Sequence, residues 1–397
     1  MTDLKDYIKS EKDASIDLIN IKEIVGCLPI NKLIDSKIFS RLLDEDKMVA
    51  SYKMYWLLGI LEEVSIGNTE IEFKKLIARM IVSAWYPQQQ FKLNFGFGFS
   101  DKLKKPIAYV ALRSEFPVNC NEKELLDYLY KSEDKELNKM MKELTYNVPY
   151  RLLSPFFKVA EFKNTIIVDL SQDSQTCLYK IIKGEKDKIV INDCWITYLK
   201  ENYRVIKAWI YYKLVCFLQK RNPNVPAIVF KLEAPKRRML KEATELWKQI
   251  ISVNKLKDIY TGDEFSKAAF EEHGVLSIDH FIPWSFVLHD QMWNLVPTFK
   301  NVNSKKSDKL LLYDNYIDDF CSTQYKAFSY ICEKKIKHSL EEYVDVLNLE
   351  NPYEYFKHST QESFSKNIKQ CISPLYQIAI NQRSEEHTSE LQSQDAS

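Results

Sequence analysis

The chain has 397 residues, of which 45% are hydrophobic and 13% aromatic, enough apolar matter for two or three domain cores and far from the composition of a disordered chain. Lys and Arg outnumber Asp and Glu by only one, so there is no chain-wide basic field, and any contact with a polyanion must rest on local patches. With 8 Gly and 13 Pro, a turn-rich sandwich or barrel is disfavoured, and a mainly α fold with small β elements is expected. The eight cysteines (27, 120, 177, 194, 216, 321, 332, 371) contain no CxxC pair, which argues against a zinc ribbon and a secreted disulfide framework and fits a reduced, cytoplasmic setting. No apolar run approaches the ~20 residues needed to span a bilayer, so a soluble protein without a membrane partner is expected.

In chain order, Leu33, Ile34, Ile38, Leu42 and Leu43, then Tyr52, Tyr55, Leu58 and Leu61, recur at helical spacing. Phe73, Leu76, Ile77, Met80, Ile81 and Ala84 continue the pattern in a further helix, and these stripes are core. The glycine-spaced aromatics of FGFGFS, Phe95 to Ser100, suit a hydrophobic turn, with base stacking as the functional alternative. Asn121 to Leu144 predicts one or two helices. Between Asn164 and Asp193 the segments TIIVDL, LYKIIK and KIVIND are short and β-branched, and they predict a small sheet or hairpin near 164–193. One long helix is expected from Trp195 to Lys220, ended by the RNPNVP break at Arg221 to Pro226.

A domain boundary is placed near Pro235. PKRR, Pro235 to Arg238, reads equally as a clamp on a polyanion and as a solvated helix end, and the helix after it buries Leu246, Trp247, Ile250 and Ile251. The expected organisation is a mostly helical recognition or regulatory region over 1–235, a distinct unit over 236–312 and a helical C-terminal segment over 313–382. Arg383 to Ser397, which includes RSEEHTSELQS, resembles the translated read-through of a sequencing-library adapter and is set aside from the fold.

The densest chemistry lies in SIDHFIPWSFVLHDQMWNLVPTFKNVNSKKSDKL, Ser277 to Leu310. Ser277 to Pro283 predicts a strand, Leu295 to Phe299 a second strand, and Lys300 to Lys309 an exposed helix. His280 and Asn294 are 14 residues apart, and Asn294 and Asn303 are 9 apart, spacings that suit a loop and then a return strand leading into a helix. Hydrolysis of a phosphodiester needs a water nucleophile, a cation against the developing charge and a general base. A histidine side chain, whose unperturbed pKa is ~6.5, suits the base, and His280 is the candidate. Adjacent residues of a strand face opposite ways, so strict alternation argues against Asp279 and His280 sharing one site.

From the hairpin DIYTGDEF (Asp258 to Phe265) to Leu310, the stretch resembles the HNH endonuclease family, through IDHFIPWSF, WNLVP and NVNSKKSDKL in combination. The resemblance implies a ββα-metal nuclease domain over 236–312, a bend before Pro283 that brings Asp279 and His280 together, and one divalent metal held by Asp279 and Asn303. Oxygen ligands favour Mg²⁺, with Mn²⁺ as a substitute. Under this resemblance His280, Asn294 and Lys306 are the catalytic candidates: His280 as base, Asn294 as a brace that orients it, Lys306 as a cation for phosphate with Lys305 and Lys309 as helpers.

Asn303 stands where many members have a second His, and the Asp-His…Asn…Asn form is similar to the HNH domain of RNA-guided CRISPR nucleases. YTGD and KNVN stand where many relatives carry CxxC pairs, so no structural zinc is expected, and packing through Trp284, Phe286, Trp293 and Phe299 is expected to replace it. His273 and His289 are read as loop residues, with a substrate contact by His289 as the alternative.

The expected function is DNA phosphodiester hydrolysis, in the manner of bacterial restriction or anti-phage defence nucleases. The expected partners are DNA, with RNA as the second polymer, and either a second copy of the chain or a defence-system protein. The rival from another class is a non-catalytic scaffold that retains an HNH shell, and an RNase using the same site is the third reading.

Overall fold

The computed structural model describes residues 28–44, 48–96, 101–234 and 240–394, with side chains as far as residue 381. PKRR and most of FGFGFS lie outside the described residues, as do the side chains of the adapter-like tail. Two compact units are present: Met1–Asn222 with Lys231–Glu233, and Pro223–Phe230 with Ala234–Ser397. Among the described residues the fold is mainly helical, with one three-stranded and one two-stranded sheet.

In the first unit, α1 (Ser36–Ser40) precedes α2 (Tyr52–Ser65), and nearly every residue of α2 from Met54 to Val64 is buried. A helix apolar on all sides belongs at the centre of a core. Gly59 permits the close approach of α3 (Phe73–Phe91), because a Cβ there would lie 3.2 Å from Arg79 Cβ. The one carboxylate sunk among them, Glu63, is paired with Arg79 at 2.6 Å and accepts from Asn68 Nδ2 at 2.6 Å, as a buried charge requires.

Helices α4 (Lys104–Arg113), α5 (Glu122–Lys131), α6 (Lys135–Glu143) and α7 (Val148–Leu153) follow, with Asn121 and Asp134 capping the N-termini of α5 and α6 through their side chains. The antiparallel sheet has the order β1 (Glu70–Glu72), β3 (Lys188–Ile191), β2 (Tyr179–Ile182), with Ile189 opposite both Ile71 and Ile181.

Two expectations for this unit are corrected. TIIVDL is not a strand but part of helix α8 (Asn164–Asp173). Its buried residues, Ile167 and Ser171, are four apart, and the helix closes the edge of β2: Ser171 Oγ accepts from Ile181 N at 3.1 Å, and Gln172 Nε2 donates to Ile181 O at 2.8 Å. Edge-strand groups satisfied by side chains outweigh the β propensity of Ile and Val. The long helix is two helices, α9 (Asp193–Glu201) and α10 (Tyr203–Arg221), broken at Asn202, whose side chain turns back to donate to Tyr198 O at 2.9 Å.

In the second unit, α11 (Lys241–Val253) is followed by a tight turn at Asp258–Asp263, where Gly262 adopts φ +78° and the Asp258 carboxylate accepts from Thr261 N. Helix α12 (Lys267–His273) leads through Gly274 into β4 (Leu276–His280), and His273 therefore ends a helix rather than lying in a loop. Strand β4 is shorter than expected. It pairs antiparallel with β5 (Leu295–Phe299), Asp279 opposite Val296 and His280 opposite Leu295, and a short turn, α13 (Trp284–Val287), lies between the strands.

Helix α14 (Lys300–Lys306) follows β5 without a break. Then come α15 (Tyr313–Lys334), α16 (Lys337–Leu347), α17 (Pro352–His358) and α18 (Gln361–Gln394). These C-terminal helices share one core with the strands: Ile278, Phe281, Val296, Phe320, Phe328 and Ile368 belong to the same buried cluster, and Phe281 stacks on Phe320 at 4.1 Å. Gln324, fully buried on α15, donates to Leu295 O at 2.7 Å and accepts from Tyr343 on α16 at 2.5 Å. The C-terminal helices thereby hold the strand–turn region whose loop carries the candidate chemistry.

Candidate active site

β-branched and aromatic residues hold β4 and β5 as a ladder, and the ladder ends where the chemistry begins. One step past the last paired residues, Phe281 N donates to Asn294 O at 2.9 Å. The next step is made by a side chain: Ile282 N donates to Asn294 Oδ1, and Asn294 Nδ2 donates to Ile282 O, each at 2.8 Å. Asn294 is fully buried and its amide extends the ladder by one rung, which fixes the chain leaving His280. Met292 N, two residues earlier, donates to Glu342 on α16 at 2.7 Å, so this loop is tied at both ends.

Asp279 and His280 are both 5% exposed. The regular register persists through His280, and the two side chains take different partners. Asp279 Oδ2 accepts from Tyr260 OH at 2.5 Å and is ion-paired with Lys306 Nζ at 2.9 Å. His280 Nε2 lies 2.9 Å from Asp290 Oδ1. A carboxylate only accepts, so in the neutral imidazole Nε2 carries the proton and Nδ1 is the basic nitrogen.

Lys306 departs from its expected place. It is 6% exposed, and its ammonium lies between Asp279 and the carbonyl of His280, to which it donates at 2.9 Å. The cause is electrostatic: a carboxylate this buried needs a counter-charge, and Lys306 is one helical turn beyond Asn303. Lys300, Lys305 and Lys309 are the exposed cations of this stretch.

Asn303 is tied to β4 by its amide, which donates to Ser277 Oγ at 2.8 Å and Ile278 O at 3.1 Å. Both bonds use the Nδ2 donors, and the amide oxygen takes part in neither. The oxygens of Asp279 Oδ1 and Asn303 Oδ1 fit a hard divalent cation that keeps several waters. Among the described residues no group of three or more His, Cys, Asp or Glu side chains is arranged to hold a metal.

His289 sits on the indole of Trp293, ring centres 5.1 Å apart, with Nδ1 buried and without a hydrogen bond. Burial, then the nearby His280 ring, pushes it down to about 4, so it is neutral at physiological pH. Phe286, Trp293 and Phe299 are buried, while Trp284 is only partly so.

Sequence reasoning brought out Asp279, His280, Asn294, Asn303 and Lys306 and passed over Tyr260 and Asp290. Tyr260 stands alone in the YTGD turn, and Asp290 lies in a polar loop ten residues past His280 with no periodicity to mark it.

A family model described as HNH endonuclease matches residues 258–311, the segment from the tight turn through β4, β5 and α14. No curated protein and no solved structure matches the chain. Geometry and match point the same way: residues 258–311 are similar to the HNH endonuclease family, whose nucleases generally use a divalent metal. Among the described residues no helix is long and apolar enough to cross a membrane.

Proposed function

We propose that this protein is a metal-dependent endonuclease that hydrolyses DNA phosphodiester bonds. The observation that carries the reading is the corner at the end of β4, where Asp279 and His280 are adjacent, Asn303 is bonded to the strand one residue earlier, and Asn294 clamps the chain just beyond. His280 takes the proton of the attacking water, and Asp290 holds the imidazole in the tautomer that can do so. Asp279 and Asn303 hold the cation, which we take to be Mg²⁺ with Mn²⁺ as a substitute because both donors are hard oxygens. When bound, the ion neutralises charge that develops on the phosphate.

Asn294 positions His280 and does not touch substrate. Lys306 braces Asp279 and the His280 carbonyl, while the exposed Lys300, Lys305 and Lys309 neutralise flanking phosphates. The helical region over 1–235 would supply target recognition, partner binding or restraint. One such site cuts one strand at a time, so a double-strand break requires a second copy or a second nick. A role in bacterial restriction or anti-phage defence rests on architectural analogy.

One observation favours a second reading. The ion pair of Lys306 with Asp279 already neutralises the carboxylate, as in a catalytically silent shell retained for binding. The deciding experiment is cleavage of supercoiled plasmid, single-stranded DNA and RNA with Mg²⁺, Mn²⁺ or EDTA, wild type against His280→Ala. Metal-dependent nicking lost in the variant supports the nuclease, and preference for RNA reassigns its polymer. Folded protein that cuts none of the three supports the silent shell.

A further inference from the structure

The two oxygens of Asp279 are not equivalent. Oδ2 receives both the Tyr260 hydroxyl at 2.5 Å and the Lys306 ammonium at 2.9 Å, whereas Oδ1 takes no partner among the described residues. The clamp is built, not incidental. Lys306 is buried, its second bond to the His280 carbonyl fixes the ammonium, and its Nζ stands 5.8 Å from the centre of the Tyr260 ring. Tyr260 is held in turn by an edge contact with Tyr316 at 5.5 Å.

We propose, resting on the metal-dependent reading above, that Tyr260 is a specificity-determining residue: with Lys306 it makes Asp279 a one-oxygen ligand and so selects a small six-coordinate cation over Ca²⁺. Ca²⁺ takes six to eight oxygens and gains from carboxylates that bind through both. Mg²⁺ and Mn²⁺ accept a single carboxylate oxygen and fill the octahedron with water. For Asp279 to turn both oxygens to an ion, it must give up the hydroxyl and the ion pair together, leaving the Tyr260 hydroxyl buried without an acceptor and Lys306 with the His280 carbonyl alone. Tyr260 touches neither ion nor substrate; it acts through the carboxylate.

The test is Mn²⁺ binding to the full chain followed by electron paramagnetic resonance, with displacement by Mg²⁺ and by Ca²⁺, for wild type, Tyr260→Phe and Lys306→Met, each checked for native circular dichroism. Phenylalanine keeps the ring against Tyr316 and removes only the hydroxyl. The expected result is that Ca²⁺ gains ~10-fold on Mg²⁺ as a competitor in Tyr260→Phe, with Lys306→Met moving the ratio the same way.

A ratio within about twofold of wild type in both variants, or equal weakening of all three ions, makes Tyr260 merely structural and overturns the proposal. If that unmoved ratio accompanies metal-dependent plasmid cleavage, the nuclease reading stands without it. A shifted ratio in a protein that cuts no nucleic acid keeps the proposal and removes the nuclease. Absence of Mn²⁺ binding in wild type removes both.

Discussion

Asn294→Ala deletes a rung of the ladder made of side chain rather than backbone, and its cost follows from the bonds it leaves behind. Ile282 N and Ile282 O each lose a 2.8 Å partner, at a residue with no solvent exposure. A buried group left without its hydrogen bond costs ~1–3 kcal/mol, so the pair amounts to ~3 kcal/mol once partial relaxation toward water is allowed. For a unit of this size that lowers the melting temperature of its transition by ~6–12 °C.

Asn294→Asp separates hydrogen bonding from shape. The carboxylate still accepts from Ile282 N but sets its second oxygen against Ile282 O, so at pH 8 it costs at least as much as alanine. Protonation restores the donor, which raises the folded pKa of the new carboxyl above its unfolded ~3.9, and the deficit against wild type narrows as the pH falls toward 5. The assay is urea unfolding followed by tryptophan fluorescence at both pH values. An alanine variant within ~0.5 kcal/mol of wild type, or an aspartate variant as stable at pH 8 as at pH 5, would refute the account of Asn294 as a structural rung.

Lys306→Met leaves Asp279 buried with the Tyr260 hydroxyl alone, a loss of ~3 kcal/mol, and pairing it with Asp279→Asn returns most of that; thermal melts of the single and double variants decide, and strictly additive losses would contradict the ion pair. His289 is held at about 4 against ~6.5 when unfolded, so the unfolded chain binds more protons in that interval. Stability is therefore full above pH ~6.5 and falls by ~2 kcal/mol on acidification toward pH 4, after allowance for its partial exposure. Urea titrations at pH 7.5 and 4.5 should show a smaller difference in His289→Gln than in wild type. Asp290→Ala should lower kcat for cleavage ~10–100-fold with Mn²⁺ affinity unchanged, and Asp290→Glu should recover part of it; a variant weakened in metal binding alone would place Asp290 elsewhere in the chemistry.

Residues whose neighbours lie close in sequence were the legible ones. The β4–β5–α14 order showed through because Ile278, Phe281 and Ile282, then Leu295 to Phe299, alternate or cluster as strand formers over short spans. TIIVDL misled because its β-branched composition is local, whereas the satisfaction of Ile181 by Ser171 and Gln172 is a tertiary fact. Lys306 read as a surface cation because it sits among lysines and serines, and nothing local shows that Asp279, far back on β4, needs its charge. Tyr260 and Asp290 were silent for the same reason: a lone tyrosine in a turn and a lone aspartate in a loop carry no period, and only the folded register gives them partners. The shared core of the strands and the C-terminal helices was equally hidden, since the contact of Gln324 with Leu295 depends on which face of α15 turns inward.

The absence of cysteine pairs around this HNH-like segment sharpens into a further prediction, because YTGD and KNVN, where the resemblance would put such pairs, have other work. At YTGD the turn is closed by main-chain and side-chain bonds: Asp258 N to Asp263 O at 2.8 Å, Gly262 N to Asp258 O at 2.8 Å, and Thr261 N to the Asp258 carboxylate at 3.1 Å. At KNVN, Asn301 lies against Gly274, whose φ of +87° and crowded Cβ position admit only glycine without strain. Between the two, Phe265 and Phe270 pack on the fully buried Phe299 at 5.1 and 5.5 Å, with the His273 ring beside them at 5.2 Å. Aromatic packing of this kind needs no ion, so a strong zinc chelator should leave the melting temperature of the purified chain unchanged. Phe299→Ala should cost ~3–5 kcal/mol, as the loss of a core aromatic does. Stoichiometric zinc by elemental analysis, together with a chelator-induced drop in melting temperature, would mean that a metal rather than the Phe299 cluster holds the turn to the helix.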